Sequence, residues 1–294
     1  MTWRRGDAGS AAVVSSSPEW VAAARLVRRT GFGATGADVD AVVRVGVPHY
    51  VSSILAMDPS ADAGAARTPP PSLAPIAALG RGSSAAQRQA RKDEVSRQLL
   101  ALMSWWLRRM IAVEHPFGEK LTFCWHNHFA TSAAKVRESS WLLAQNEKLR
   151  RLGRGDFRTL ALAMLTDAAM LFWLDGQKNT SSAPNENLSR EFMELFALGH
   201  GDGYTETDVR EGARALTGWK IRPDGTTHLV SADHDSRTKT VLGVTGNLDS
   251  TGFCDAVLAR SASPLFLADR WWGQLASDAV MPPAAATAAS TAYG

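Results

Sequence analysis

Apolar positions recur at helical spacing along most of the chain, and the residues between those runs are ones that start and stop helices. Ser17-Pro18-Glu19 combines an N-cap hydroxyl, a first-turn proline and an acid favoured by the helix dipole, and predicts a helix through Leu26 and Val27 that stops at Gly31. Thr35-Gly-Ala-Asp38 resembles a capping box and opens a second helix, with Val39, Val42 and Val43 inward and Gly46 at its end. Pro48 opens a third. A long amphipathic helix is expected over 85–113, polar at first, then apolar through Leu99, Leu100, Met103, Trp106 and Met110. Pro116 restarts a helix that carries Glu119, Lys120, Leu121 and Trp125. Further helices are predicted at 138–152, 156–166, 185–198, 205–217 and 264–275.

Between 220 and 246 the period shortens to β-prone pieces, Thr227-His-Leu-Val230 and Thr240-Val-Leu-Gly243, which predict a small hairpin or ordered loop. The fold class is therefore mainly α: a multi-helix domain of orthogonal or bundle-like packing with a minor β element. Composition divides the chain further. Residues 1–16 are expected to be disordered and 17–57 to form N-terminal helices. Residues 58–83, rich in Pro, Ala and Gly, are expected to be a loop or linker. Residues 84–277 would be the main helical domain, and the low-complexity tail 278–294 is expected to be disordered.

A chain of 294 residues, 45% hydrophobic and 21% charged, buries a sizeable core. The net charge of +3 is too small an excess to imply nucleic acid. Near the N-terminus the apolar run Ala11-Ala-Val-Val14 is shorter than an export signal needs. No stretch is long and apolar enough for a membrane span, since the best, Leu160 to Leu174, is broken by Asp167. A soluble cytoplasmic protein is the expectation. Cys124 and Cys254 are read as reduced, buried thiols.

Candidate chemistry centres on Phe123-Cys-Trp-His126-Asn-His128-Phe129, two imidazoles among aromatics. On a regular helix residues two apart point about 200° from one another, so joint action requires the helix to end near Trp125. About sixty residues on, Glu191 and Glu194 share a helical face, the pattern by which bundle helices offer carboxylates to metals. His126, His128, Glu191 and Glu194 are the candidate ligands for Zn, Fe or Mn. His126, His128 and Glu191, with His234 at the mouth of the site, are the candidate catalytic residues. The chemistry would be hydrolysis through a metal-activated water, or redox at iron.

The alternative is a non-catalytic scaffold or binding protein in which Arg190 and Arg214 neutralise these acids and lock helices together. His234-Asp235 are neighbours whose side chains usually diverge, and His200 is read as a helix-terminal residue. The basic run Lys148, Arg150, Arg151, Arg154, Arg158 is either a phosphate site or a solvated face. No phosphate loop, Gly-x-Ser-x-Gly elbow, His-Glu-x-x-His or Cys-x-x-Cys occurs, and Gly31-Phe-Gly33 lacks the third glycine of a dinucleotide fingerprint.

Several blocks in order resemble one family. Leu26-Val-Arg-Arg-Thr-Gly-Phe-Gly33, Trp125-His-Asn-His-Phe-Ala-Thr-Ser132, Pro184-Asn-Glu-Asn187 and Arg190-Glu-Phe-Met-Glu-Leu195 are similar to signatures of the bacterial domain-of-unknown-function 1800 (DUF1800) family. Tyr204-Thr-Glu-Thr-Asp-Val209, Ala213-Arg-Ala-Leu-Thr-Gly-Trp219 and His234-Asp235 with Lys239-Thr-Val-Leu-Gly243 extend the resemblance. It implies a helical bacterial protein, often exported and often encoded beside another uncharacterised family, which supplies a candidate partner. It implies no established activity or substrate. Relatives usually continue past Arg270-Trp-Trp272, so this chain is expected to be a C-terminally shortened member.

Overall fold

The computed structural model describes residues 17–201 and 203–293. The expectation for residues 1–16 lies outside them. The chain divides into two compact units, one ending at Met57 and one beginning at Asp58.

The first unit holds α1 (Pro18–Thr30), α2 (Gly36–Val45) and α3 (Val47–Ala56). Ser17 Oγ accepts from the Trp20 amide, and Thr35 and Asp38 complete a capping box, as their spacing predicts. Gly46, at φ +85°, turns the chain from α2 into α3 in a conformation that other residues avoid. Ala23, Ala24, Val27, Val39 and Val42 form the core of this unit. Val43, expected inward, faces solvent.

The second unit opens with a 3-10 turn (Pro59–Ala61) and α4 (Ala63–Ala66), then an extended strap that reaches α5 (Ala85–Ala112). The strap is bonded along its length. Trp105 Nε1 donates to the Thr68 carbonyl at 2.9 Å, Gln98 Nε2 to the Ala74 carbonyl at 3.0 Å, and the Ile76 amide to Glu138 at 3.2 Å. These bonds rotate α5 by one position from its expected face. Gln98, Leu102 and Trp105 are buried, while Leu100, Met103 and Leu107 are exposed.

There follow α6 (Phe117–His128), α7 (Ala133–Val136), α8 (Ser139–Leu152), α9 (Phe157–Leu165) and α10 (Ala168–Trp173). Asp167, which interrupts the apolar run in the sequence, is the N-cap of α10 and accepts from the Met170 amide at 3.0 Å. α11 (Asn187–Glu191) continues as a π-turn through Phe192–Ala197, and α12 (Glu206–Ala215) starts from a Thr205/Asp208 capping box. The main core gathers Trp125, Phe129, Leu149, Leu160, Met164, Met170, Leu188, Phe192, Met193 and Phe196 from this region, together with Phe253 from further along the chain.

The β-prone stretch forms two antiparallel hairpins, β1 (Trp219–Ile221) with β2 (Thr227–Leu229), and β3 (Lys239–Val241) with β4 (Val244–Gly246). Leu242 and Gly243 take φ of +51° and +86° in the tight turn between β3 and β4. The Leu242 amide donates to Asp208 Oδ1 at 2.7 Å, which ties that hairpin to the start of α12.

Five helices exceed the expectation: the short α4, α7 and α10, and two longer ones. α13 (Ser250–Leu258) starts at Asp249, whose carboxylate accepts from the Thr251 and Gly252 amides. The tail, expected to be disordered, forms α15 (Pro283–Tyr293) after α14 (Ala262–Trp271) and its π-turn Trp272–Ala276. Tyr293 Oη lies 3.2 Å from Ser263 Oγ of α14. The architecture is mainly α with two small hairpins. Among the described residues no helix is long and apolar enough to cross a membrane. Cys124 and Cys254 are both buried and unpaired with one another.

Candidate functional site

The His-Asn-His segment does not leave the helix at Trp125. α6 runs through His128, its cap bond passing from the Phe129 amide to the Trp125 carbonyl. The two imidazoles therefore point to different sides, as i, i+2 positions must. His126 turns toward α5, its ring 4.9 Å from that of Trp106. Burial pushes its pKa down to about 4, and the Arg150 charge adds to that effect against Asp167.

His128 turns the other way, into an aromatic enclosure. Its ring lies 4.7 Å from Phe129, 5.5 Å from Trp125 and 6.1 Å from both Phe157 and Phe196. Nε2 donates to the Phe196 carbonyl at 2.9 Å. That carbonyl belongs to the last turn of the 187–197 helix, where carbonyls lack intrahelical partners. His128 thus caps another helix. Burial again pushes its pKa down to about 4.

The carboxylates also separate. Glu194 accepts from Nδ1 of the exposed His200 at 2.6 Å. Glu191 is half-buried, and burial together with the Glu194 charge pushes its carboxyl up. Arg190 binds Glu186 and Glu206 instead of either acid, and Arg214 binds Asp235 and Glu211. His234 Nδ1 donates to the Thr217 carbonyl at 2.9 Å, while Asp235 is held well below the carboxylate range, first by Arg237. The neighbours diverge. Among the described residues no three or more His, Cys, Asp or Glu side chains gather as a metal-holding group.

The basic run is distributed among partners. Lys148 Nζ bonds Asp167 at 2.6 Å, Arg158 pairs with Asp255 at the surface, and Arg150 grips Glu119. Glu119, 2% exposed, accepts from Arg109, Arg150 and the Trp106 indole. Burial pushes its carboxyl up, and the two arginines outweigh burial, so the net shift is downward.

Cys124 and His128 lie four residues apart on one face of α6, a relation that the sequence offers through i, i+4 spacing. They border a crevice of ≈ 20 Å³ with Asn127, Arg270 and Gln274, which is room for little more than one water. The Cys124 thiol lies 3.9 Å from Gln274 Oε1 and is pushed up by burial, so it stays protonated near neutral pH.

A second opening, with several charged residues on its walls, lies elsewhere. A cleft of ≈ 630 Å³ lies between the α7–α8 junction and the loop after α10, and sequence reading missed it. Arg91, Lys135, Arg137 and Lys178 line it against two acids, Glu138 and Asp175. Trp141 and Phe172 form an aromatic wall, ring centroids 5.8 Å apart. Two of its lining residues, Arg137 and Asp175, are non-glycines at φ +51° and +59°. Such backbones cost roughly 1–3 kcal/mol each and cluster where structure serves a site.

Asp175 is anchored by Lys135 at 2.8 Å and Lys178 at 2.7 Å, whose hydrogen bonds pull its carboxyl down. Lys135 also donates to the Trp173 carbonyl at 2.6 Å. Trp141 Nε1 and Gln177 Oε1 are buried without a hydrogen-bond partner among the described residues. The Pro184-Asn-Glu-Asn187 motif braces this region without lining it. Asn187 Nδ2 donates to the Leu174 carbonyl at 3.2 Å, and Asn179 Oδ1 accepts from the Asn185 amide at 2.9 Å.

Neither the curated proteins nor the solved structures compared with the chain include a match. One family profile, described as "Protein of unknown function (DUF1800)", matches residues 25–294. With nearly its whole length matched, in agreement with the resemblance carried by its motifs, the chain belongs to the DUF1800 family.

Proposed function

We propose that the chain is a non-catalytic helical binding protein whose His, Glu and Arg motifs are interhelical structure, and whose ligand enters the cleft beside Trp141. The observation that carries this reading is the placement of His128. Its Nε2 is committed to the Phe196 carbonyl inside an aromatic enclosure, with a pKa near 4, which suits a packed neutral ring. His126, Glu194 and His234 each meet a different neighbour, which also favours structure over a shared reaction centre.

Metal analysis of protein purified without an affinity tag tests this reading against the metal-dependent hydrolase. The expected result is well below one equivalent of Zn, Fe or Mn, with melting unchanged by a chelator. A stoichiometric metal lost in both His128→Gln and Glu191→Gln would overturn it.

A further inference from the structure

We infer that the cleft beside Trp141 binds a small dianion carrying a planar ring, of the phosphate-ester class. This inference rests on the binding-protein reading and names its ligand. Charge is the first argument. Arg91, Lys135, Arg137 and Lys178 surround the cleft, and only Glu138 and Asp175 oppose them among its lining residues. Glu138 is occupied by Arg91 at 3.1 Å, and Asp175 by Lys135 and Lys178. Arg137 has no carboxylate partner among the described residues, its Nε donating only to the Ala134 carbonyl at 3.3 Å. Two positive charges remain over, which balance the roughly −1.5 to −2 of a phosphate monoester near neutral pH. The fork of a guanidinium also fits phosphate oxygens in pairs.

The second argument is the wall. Trp141 and Phe172 present ring surface inside a cleft of ≈ 630 Å³, a size typical of small-molecule sites. An inorganic anion would leave that surface unused; a ring joined to the phosphate would cover it.

The backbone supports the placement. Arg137 and Asp175, both lining the cleft, hold left-handed conformations at the cost of local strain.

Calorimetric titration of the full chain with phenyl phosphate, inorganic phosphate and phenol tests the proposal. Phenyl phosphate is expected to bind at least about tenfold tighter than inorganic phosphate, with no detectable binding of phenol. Arg137→Gln and Lys178→Gln should each weaken phenyl phosphate by about three- to tenfold. Both side chains are on the surface, so melting temperatures should be unchanged and report intact folding. Trp141→Leu should erase the preference over inorganic phosphate.

Equal binding of phenyl phosphate to wild type, Arg137→Gln and Lys178→Gln would overturn the site, and equal binding of the two phosphates would overturn the ring. No binding of phenyl phosphate at about 10 mM to metal-free protein would overturn the ligand assignment alone. A stoichiometric metal would instead overturn the reading on which it rests.

Discussion

Arg150 meets Glu119 side-on, Nε to Oε1 at 2.7 Å and Nη2 to Oε2 at 2.8 Å, in a two-pronged pair enclosed between α6 and α8. Arg109 adds a third bond at 2.6 Å from α5. Removing the acid strands two arginines, so Glu119→Ala should cost about 3–5 kcal/mol in urea unfolding. Arg158→Ala, which breaks a pair half-exposed on both sides, should leave the urea midpoint nearly unchanged. A similar loss for both variants would refute the contrast.

Acid should destabilise the fold through its two buried imidazoles. His126 and His128 are pushed down to about 4 from an ordinary value of 6.5. The unfolded chain binds two protons as pH falls through that ordinary value, while the folded chain stays unprotonated until near the lower one. Stability present above pH 6.5 is therefore lost on acidification. By pH 5 the loss should be about 2 kcal/mol per histidine. Urea midpoints at pH 7, 6 and 5 measure it, and His128→Gln should remove about half of the histidine-derived slope. A flat profile would contradict the burial of both rings.

His128 and Glu194 should respond differently to truncation, although both stand in the same pair of motifs. His128→Ala leaves the Phe196 carbonyl without a donor and a void among aromatics, a cost of about 3 kcal/mol. Glu194→Ala releases only the exposed His200, a change within about 0.5–1 kcal/mol. Thermal unfolding of the two variants decides it.

Gly225 occupies the turn between β1 and β2 at φ +82°, and a Cβ there would sit 2.5 Å from Trp141 Cδ1. Gly225→Ala should therefore destabilise by about 1–3 kcal/mol. It should also weaken phenyl phosphate binding, because the displaced ring is a wall of the cleft. Gly33→Ala, with nothing within 4 Å, is the control and should leave both properties unchanged.

The tail helix covers apolar surface. Trp271, Trp272 and Leu275 line a cavity of ≈ 1030 Å³ closed on one side by Ala285, Ala288, Ala292 and Tyr293. Deleting 283–294 should raise the fluorescence of a hydrophobic dye such as anilinonaphthalene sulfonate and lower the melting temperature. Unchanged dye binding would show that α15 covers nothing.

Local signals account for what could be read beforehand. Ser17, Thr35 and Thr205 mark three helix starts because capping depends on residues three apart. Asp249 carries the same kind of signal for α13, but the β-prone stretch before it masks that signal. The α5 face shifted by one position because Gln98 is drawn in by the Ala74 carbonyl and Arg109 by Glu119, partners 24 and 10 residues distant. Composition, the only signal in the tail, says nothing of the Ser263 side chain that Tyr293 meets. The cleft was illegible for the same reason. Its walls come from Arg91, from 134–141 and from 172–178, and its charge excess appears only when these meet.

The bond from His128 to Phe196 also fixes where a proton resides. A carbonyl oxygen can only accept, so Nε2 carries the hydrogen and Nδ1 keeps the lone pair. With a pKa near 4, the ring holds that single tautomer across the physiological range. Its two nitrogens should then give widely separated ¹⁵N resonances that do not move between pH 6 and 8. The imidazole sits in the His-Asn-His segment as a fixed dipole, aligned against the negative end of a neighbouring helix.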